Sequence, residues 1–447
     1  MEVVPISTPG LGDLSYVLCH RGLGILVDVQ RDVGRFLDVL DDRGVEPRYV
    51  LETHLHNDYV SGGKTLAELT GAELVMPAGS GVAYPHRPAF HREPIPFAGL
   101  EIVPIHTPGH TPEHTSYLVV EDGRPLAVFS GGSLLVGAAG RTDLLGERRA
   151  RQLARMQWAS IRRLAELDDT VALYPTHGAG SFCTATVAGP STSAIGTEKE
   201  TNPTLSFSDP EAFADDQLSR LDPFPAYYAH MGPINLFGPP PPPDTPVPRL
   251  EPEQLEGSGA VVVDGRPKEA FAEVHIPGSW GIEANQDFAT WVGWLVPFDS
   301  PLVLVLDDED TVGEARTALS RVGFDRVVGW MQGMDAWIDS GRAVASHGTI
   351  TARGFLELDE EDPQVLDVRA PSEWRDGHLP GSIHFYLPDL VAATPEGLDP
   401  TRPVYVGCTT GHRASIAAGI LGDRGYRPVV MVGASLLGVL MLTAQSA

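Results

Sequence analysis

A multidomain α/β protein is predicted from this sequence, on three grounds. Its 447 residues exceed what one core organises, since domains run to ~100–200 residues. The run Gly238-Pro-Pro-Pro-Pro-Pro-Asp-Thr-Pro-Val-Pro248 lacks the backbone donors of a helix or central strand and favours extended geometry, so 238–248 reads as a linker. Beyond it, Asp264, Arg266 and His275-Ile-Pro-Gly-Ser279 return 103 residues later as Asp367, Arg369 and His378-Leu-Pro-Gly-Ser382. The chain therefore divides into 1–237, the linker 238–248, and two copies of one domain at 249–345 and 350–447.

In the first region, short strands are expected at Leu14 to Leu18, Gly24 to Val29 and Arg48 to Glu52. Helices are expected at Val33 to Arg43 and Arg149 to Glu166, followed by a helical extension over Ser191 to Phe237. Each copy then runs strand, polar loop, apolar strand, amphipathic helix. In the second copy this is Pro403-Val-Tyr-Val-Gly-Cys408, a loop, then Ala414 to Leu421. Strands alternating with helices predict a parallel sheet. The apolar stretch Val429 to Ala444 is 16 residues long and broken by two glycines and a serine. That is short of the ~20 needed to span a bilayer, so a buried strand and a closing helix are expected there.

The net charge of −27 argues against nucleic acid or an anionic membrane as a partner, and requires local arginines to draw in any anionic substrate. Three scattered cysteines, Cys19, Cys183 and Cys408, cannot form a disulfide framework and indicate a reducing compartment. Met1 to Gly10 has no basic stretch followed by an apolar run, so a cytoplasmic location is expected.

Two histidine motifs carry metal chemistry. His54-Leu-His56-Asn-Asp58-Tyr59 puts imidazoles and a carboxylate at alternate positions just past a strand, and His106-Thr-Pro-Gly-His110-Thr-Pro-Glu-His114 follows; His177 lies in Tyr174-Pro-Thr-His-Gly. Together with Asp28, this set resembles the metallo-β-lactamase fold in its glyoxalase II and persulfide dioxygenase branch, which implies an αββα sandwich over roughly 1–190. The resemblance implies His-x-His-x-Asp-His, yet Tyr59 stands at the last histidine. Gly132 stands where a bridging aspartate belongs, so a dinuclear site is not expected and Asp58 and His177 are left of the second metal's ligands. Three readings stay open for one ion: Fe(II) on His54 and His110 with an unidentified third ligand, zinc on His54, His56 and His110, or no metal. His86, His91 and His114 are expected as surface or pocket-wall residues. Gly140-Arg141-Thr142-Asp143 resembles the signature of persulfide dioxygenases, where Arg141 either contacts substrate or pairs with Asp143.

Cys408-Thr-Thr-Gly-His-Arg413 follows a buried strand and opens a helix, a setting of backbone N–H groups that favours a thiolate. Arg413 offers a fork for an oxyanion such as thiosulfate or sulfite, with Gly411 and His412 as further substrate contacts. With Asp367-Val-Arg369, Glu373-Trp374 and His378-Leu-Pro-Gly-Ser382, this loop resembles the rhodanese family, in which the cysteine accepts a sulfane sulfur. Thr409 stands where many members carry arginine. In the middle copy Leu306 aligns with Cys408, beside Asp307, Asp308, Glu309 and Asp310, so that copy is expected to be inactive and structural.

The domain order resembles fused persulfide dioxygenase/sulfurtransferase proteins, with a low-molecular-weight thiol persulfide, thiosulfate or sulfite as partner molecules. Two alternatives stand beside this reading: a metal-free N-terminal domain used for binding or dimerisation with sulfur transfer at Cys408 only, and a zinc thioester hydrolase. A homodimer is among the expectations.

Overall fold

The computed structural model describes residues 1–178, 180–183, 190–433 and 435–446, in two compact units: Met1–Pro243 with Ser320–Gly323, and Asp244–Leu319 with Phe324–Ala447. No helix among the described residues is long and apolar enough to cross a membrane.

The first unit is built on two six-stranded sheets. One contains Glu2–Thr8, Asp13–His20, Leu23–Val27, Glu46–Leu51, Glu73–Pro77 and Arg87–Ala89 in that order, antiparallel at first and parallel from Leu23–Val27 onward. The other is centred on Leu100–His106, Thr115–Glu121, Arg124–Gly131 and Ala172–Pro175. Strand periodicity explains the layering, because alternate residues point to opposite faces. Tyr16, Leu18, Ile25, Val27, Tyr49 and Leu51 meet Ile102, Tyr117, Val119 and Phe129 between the sheets. Their neighbours Val17, Leu26 and Val50 face outward onto Phe36, Leu40 and Leu66 of the helices Gly34–Arg43 and Gly63–Thr70. On the far side, Leu118, Val120 and Val128 pack against Ala154, Ile161 and Leu164 of the helix Glu147–Ala165, which lie at helical spacing. Both sheets are thus buried on two faces, which is the expected αββα sandwich.

The expected extension is present as the helices Ile195–Thr201, Pro210–Arg220 and Tyr228–Phe237. The strand expected to reach Val29 stops at Val27, because Asp28 turns left-handed at φ 54°.

The second unit contains a four-stranded and a five-stranded sheet, each all-parallel. The repeat seen in sequence is a repeat of contacts. Arg266 Nε donates to Asp264 Oδ1 at 2.9 Å and Nη2 to Oδ2 at 2.6 Å; Arg369 makes the same two bonds to Asp367 at 2.9 and 2.6 Å. His275 stacks on Phe271 at 3.9 Å, and His378 on Trp374 at 3.7 Å. The shared Asp, Arg and His are therefore scaffold. The stretch from Val429 forms the strand Arg427–Val432 and the helix Ser435–Ser446.

Candidate metal centre and cysteine loop

The histidine loop leaves the strand Glu46–Leu51; His110 and His114 sit between Leu100–His106 and Thr115–Glu121; Gly132 and His177 follow Arg124–Gly131 and Ala172–Pro175. All of these side chains are buried. The ligand atoms of His54, His110 and His177 lie within 4.8 Å of one another.

Hydrogen bonding fixes how these three rings face. Thr53 Oγ1 gives its one proton to Asp28 Oδ2 at 2.8 Å, so at 2.8 Å from His54 Nδ1 it must accept, and His54 carries its proton on Nδ1. His110 Nδ1 donates to the Arg141 carbonyl at 2.8 Å, and His177 Nδ1 donates to Asp13 Oδ1 at 2.9 Å. Each ring is thereby left with an Nε2 lone pair, and the buried Nε2 atoms of His54 and His177 have no hydrogen-bond partner. Burial, then the proximity of the other imidazoles, pushes His54 and His110 well below the usual histidine range; burial likewise lowers His177. Neutral imidazoles with orphaned lone pairs suit a borderline metal ion, so the residues present fit one.

His56 does not join His54 and His110 in such a set among the described residues. Its Nε2 lies 3.1 Å from Glu52 Oε2 and 3.3 Å from Asp28 Oδ1. Against the effect of burial, these two carboxylates raise it well above the ordinary value. It groups instead with Asp28 and His54. Tyr59 stacks on it at 4.3 Å and donates its hydroxyl to the Asp28 carbonyl at 3.2 Å.

At Gly132 a Cβ would lie 2.3 Å from His110 Cδ2, so the ring occupies the space an aspartate side chain would need. The Gly132 N–H donates to His114 Nε2 at 2.9 Å, which makes His114 a buried wall residue. Asp58 and His177 are joined by Cys183, its Sγ 3.5 Å from Asp58 Oδ2, and the three form a further set able to hold an ion. Cys183 carries no sequence signal, because its partner Asp58 is 125 residues away.

Arg141 is held on several sides. It pairs with Asp143 through two 2.7 Å bonds and donates to the carbonyls of Phe182 at 2.7 Å and Asp222 at 3.0 Å, using four of its five N–H groups. Of the two roles expected for it, the ion pair with Asp143 is present. Asn235 of the extension also escapes sequence reasoning: its amide donates to the carbonyls of His56 and Tyr59, each at 2.8 Å, and its Oδ1 accepts from Ser61 N at 2.8 Å.

In the second unit, Cys408 directly follows the strand Pro403–Gly407 and the helix His412–Asp423 begins four residues on. Gly411 N donates to Cys408 Sγ at 3.1 Å. Gly411 is left-handed at φ 93°, which lets its amide turn back on the sulfur. The Arg413 fork does not stand open as expected: it holds both oxygens of Glu373, at 2.5 and 2.8 Å, and Thr409 Oγ1 at 2.7 Å. His412 is buried, and its Nε2 lacks a partner.

With that geometry in place, the comparisons with known proteins can be read. Residues 9–177 match the metallo-beta-lactamase superfamily, and 252–340 and 355–436 each match the rhodanese-like domain. The chain is a fusion of a metallo-β-lactamase-fold domain with two rhodanese domains. It is 32% identical over 178 residues to the hydroxyacylglutathione hydrolase of Methylobacillus flagellatus, covering 39% of this chain and 66% of that protein. It is 32% identical over 143 residues to that of Rhizobium meliloti, covering 32% and 52% respectively. The chain thus spans about half to two thirds of the length of these relatives. A solved metallo-beta-lactamase from Staphylococcus aureus superposes with a TM-score of 0.68 at 28% identity, over 74% of this chain and 98% of that one. ETHE1 from Myxococcus xanthus gives 0.46 at 26% identity, over 53% and 98%. Both superfamilies are enzyme families, and metallo-β-lactamase-fold proteins bind metals.

Proposed function

We propose that this chain is an enzyme of sulfane-sulfur metabolism, with sulfur transfer at Cys408 and a metal-dependent persulfide oxidation in the N-terminal domain. The observation that carries the first half is the Gly411 N–H at 3.1 Å from Cys408 Sγ, at the head of a helix. There the Cys408 thiolate attacks the outer sulfur of thiosulfate or a thiol persulfide. A new S–S bond forms as the old one breaks, and the departing electron pair leaves with sulfite or thiolate. An acceptor nucleophile then takes the outer sulfur and returns the thiolate.

In the N-terminal domain His54, His110 and His177 would hold one ion, through nitrogens whose opposite ring positions are pinned by Thr53, Arg141 and Asp13. A bound ion of this kind supplies open positions for substrate and oxygen. The Gly140-Arg141-Thr142-Asp143 stretch supports the persulfide reading through its resemblance to that signature, and here Arg141 acts by orienting His110. A second reading, a metal-free domain with sulfur transfer alone, is favoured by the filled space at Gly132. A thioester hydrolase using two ions is less supported, since Tyr59 faces Asp28.

Elemental analysis of protein purified without chelator decides between these. About one equivalent of iron or zinc, lost in both His54→Ala and His177→Ala, is expected. No metal in the parent protein would establish the second reading.

A further inference from the structure

The Cys408 loop has an electrostatic gap. Its one arginine, Arg413, is neutralised by a bidentate bond to Glu373, and Thr409 adds no charge. An anionic sulfur donor arriving there needs another cation, especially on a chain of net charge −27.

The copy without a cysteine provides one. The helix His412–Asp423 lies against that copy: a Cβ on Gly419 would be 3.3 Å from Phe271 Cζ, and Gly278 N donates to Asp423 Oδ1 at 3.0 Å. At the other end of the same helix, the Cβ position of Gly411 is 3.6 Å from Lys268 Cε. Lys268 opens the helix Lys268–Glu273 of the first copy, and its side chain is 21% exposed. Its ammonium lies 3.2 Å from Glu269 Oε1, on a side chain 61% exposed, and 3.8 Å from Glu283 Oε2, so, unlike Arg413, it is held by no bidentate carboxylate. Beside it, the buried His412 Nε2 has no hydrogen-bond partner. Burial, then the charges of Lys268 and Arg413, lowers His412 to about 4, so it sits neutral at the loop.

We propose that Lys268 completes an anion site at the Cys408 loop, holding a sulfur oxyanion such as thiosulfate while the cysteine takes its outer sulfur. The copy lacking a cysteine is then half of a composite site. This rests on the proposed sulfur transfer, but the alkylation arm of its test does not.

In the full-length chain, Cys408 is alkylated with anionic iodoacetate and with neutral iodoacetamide, and modification is followed at the Cys408 peptide. Lys268→Gln is expected to slow iodoacetate about tenfold relative to iodoacetamide, and Lys268→Arg to restore the ratio; added salt should shrink the difference. The KM for thiosulfate should rise by a similar factor in Lys268→Gln with kcat little changed. An unchanged reagent ratio, or equal slowing of both reagents, overturns the proposal. A parent protein that forms no persulfide at Cys408 from any donor would overturn the sulfur-transfer reading instead, leaving the alkylation result to stand alone.

Discussion

At Gly132, where the family resemblance implies a carboxylate ligand, the surroundings leave no room for a side chain: the first added carbon would lie 2.3 Å from the His110 ring. Gly132→Asp is therefore expected to act as an overpacking substitution. It should cost ~1–3 kcal/mol in urea unfolding and add no bound metal, whereas a rise in bound metal would show that the ring can yield. Cys183 is the residue-scale surprise. Both histidine motifs were readable as spaced signatures, but which nitrogen of His54, His56 and His177 is left without a partner depends on the hydrogen bonds of each ring. That is decided by Thr53, Asp13, Asp28 and Glu52, which no spacing rule connects.

At the scale of elements, two braces hold the candidate sites. The helix Tyr228–Phe237 reaches the histidine loop through Asn235, 179 and 176 residues from the carbonyls it bonds. Asn235→Ala leaves buried backbone groups unpaired and is expected to cost ~2–3 kcal/mol and to weaken metal retention on dialysis. Wild-type retention in that variant would show that the loop holds its shape unaided. The second brace joins the cysteine loop to the helix Pro371–Asp376 through Arg413 and Glu373. Burial alone would raise Glu373, but the hydrogen bonds and charge of Arg413 bring its carboxyl down to about 2. A carboxyl depressed on folding stabilises above its ordinary value near 4.5 and loses that contribution as pH falls toward 2. The stability gap between the parent and Glu373→Gln should thus be about 1–2 kcal/mol at pH 7, allowing for partial exposure, and shrink between pH 5 and 3 in denaturant titrations. A gap independent of pH would mean the pair contributes by shape rather than charge.

For the whole molecule, the order of domains was legible from the proline run and the repeat, because an Asp–Arg pair and a stacked histidine demand fixed residue types at fixed offsets. The partnership between copies was not legible, since Lys268 is an ordinary surface residue in sequence and gains meaning only where the second copy packs against it. If the two centres act separately, Cys408→Ser should abolish sulfur transfer while leaving the metal content and any persulfide-dependent oxygen uptake of the N-terminal domain intact. Joint loss in that variant would argue that sulfur must pass through Cys408 before it is oxidised.

The matched staples of the two copies have a further consequence. Since Asp264–Arg266 and Asp367–Arg369 are held alike while only one copy has a cysteine, the fold does not depend on the reactive loop for its integrity. Reactivity is then a removable insert in a self-sufficient frame. One frame can therefore lack the sulfur and keep its shape, which leaves it free to serve as a wall beside the other copy's reactive loop.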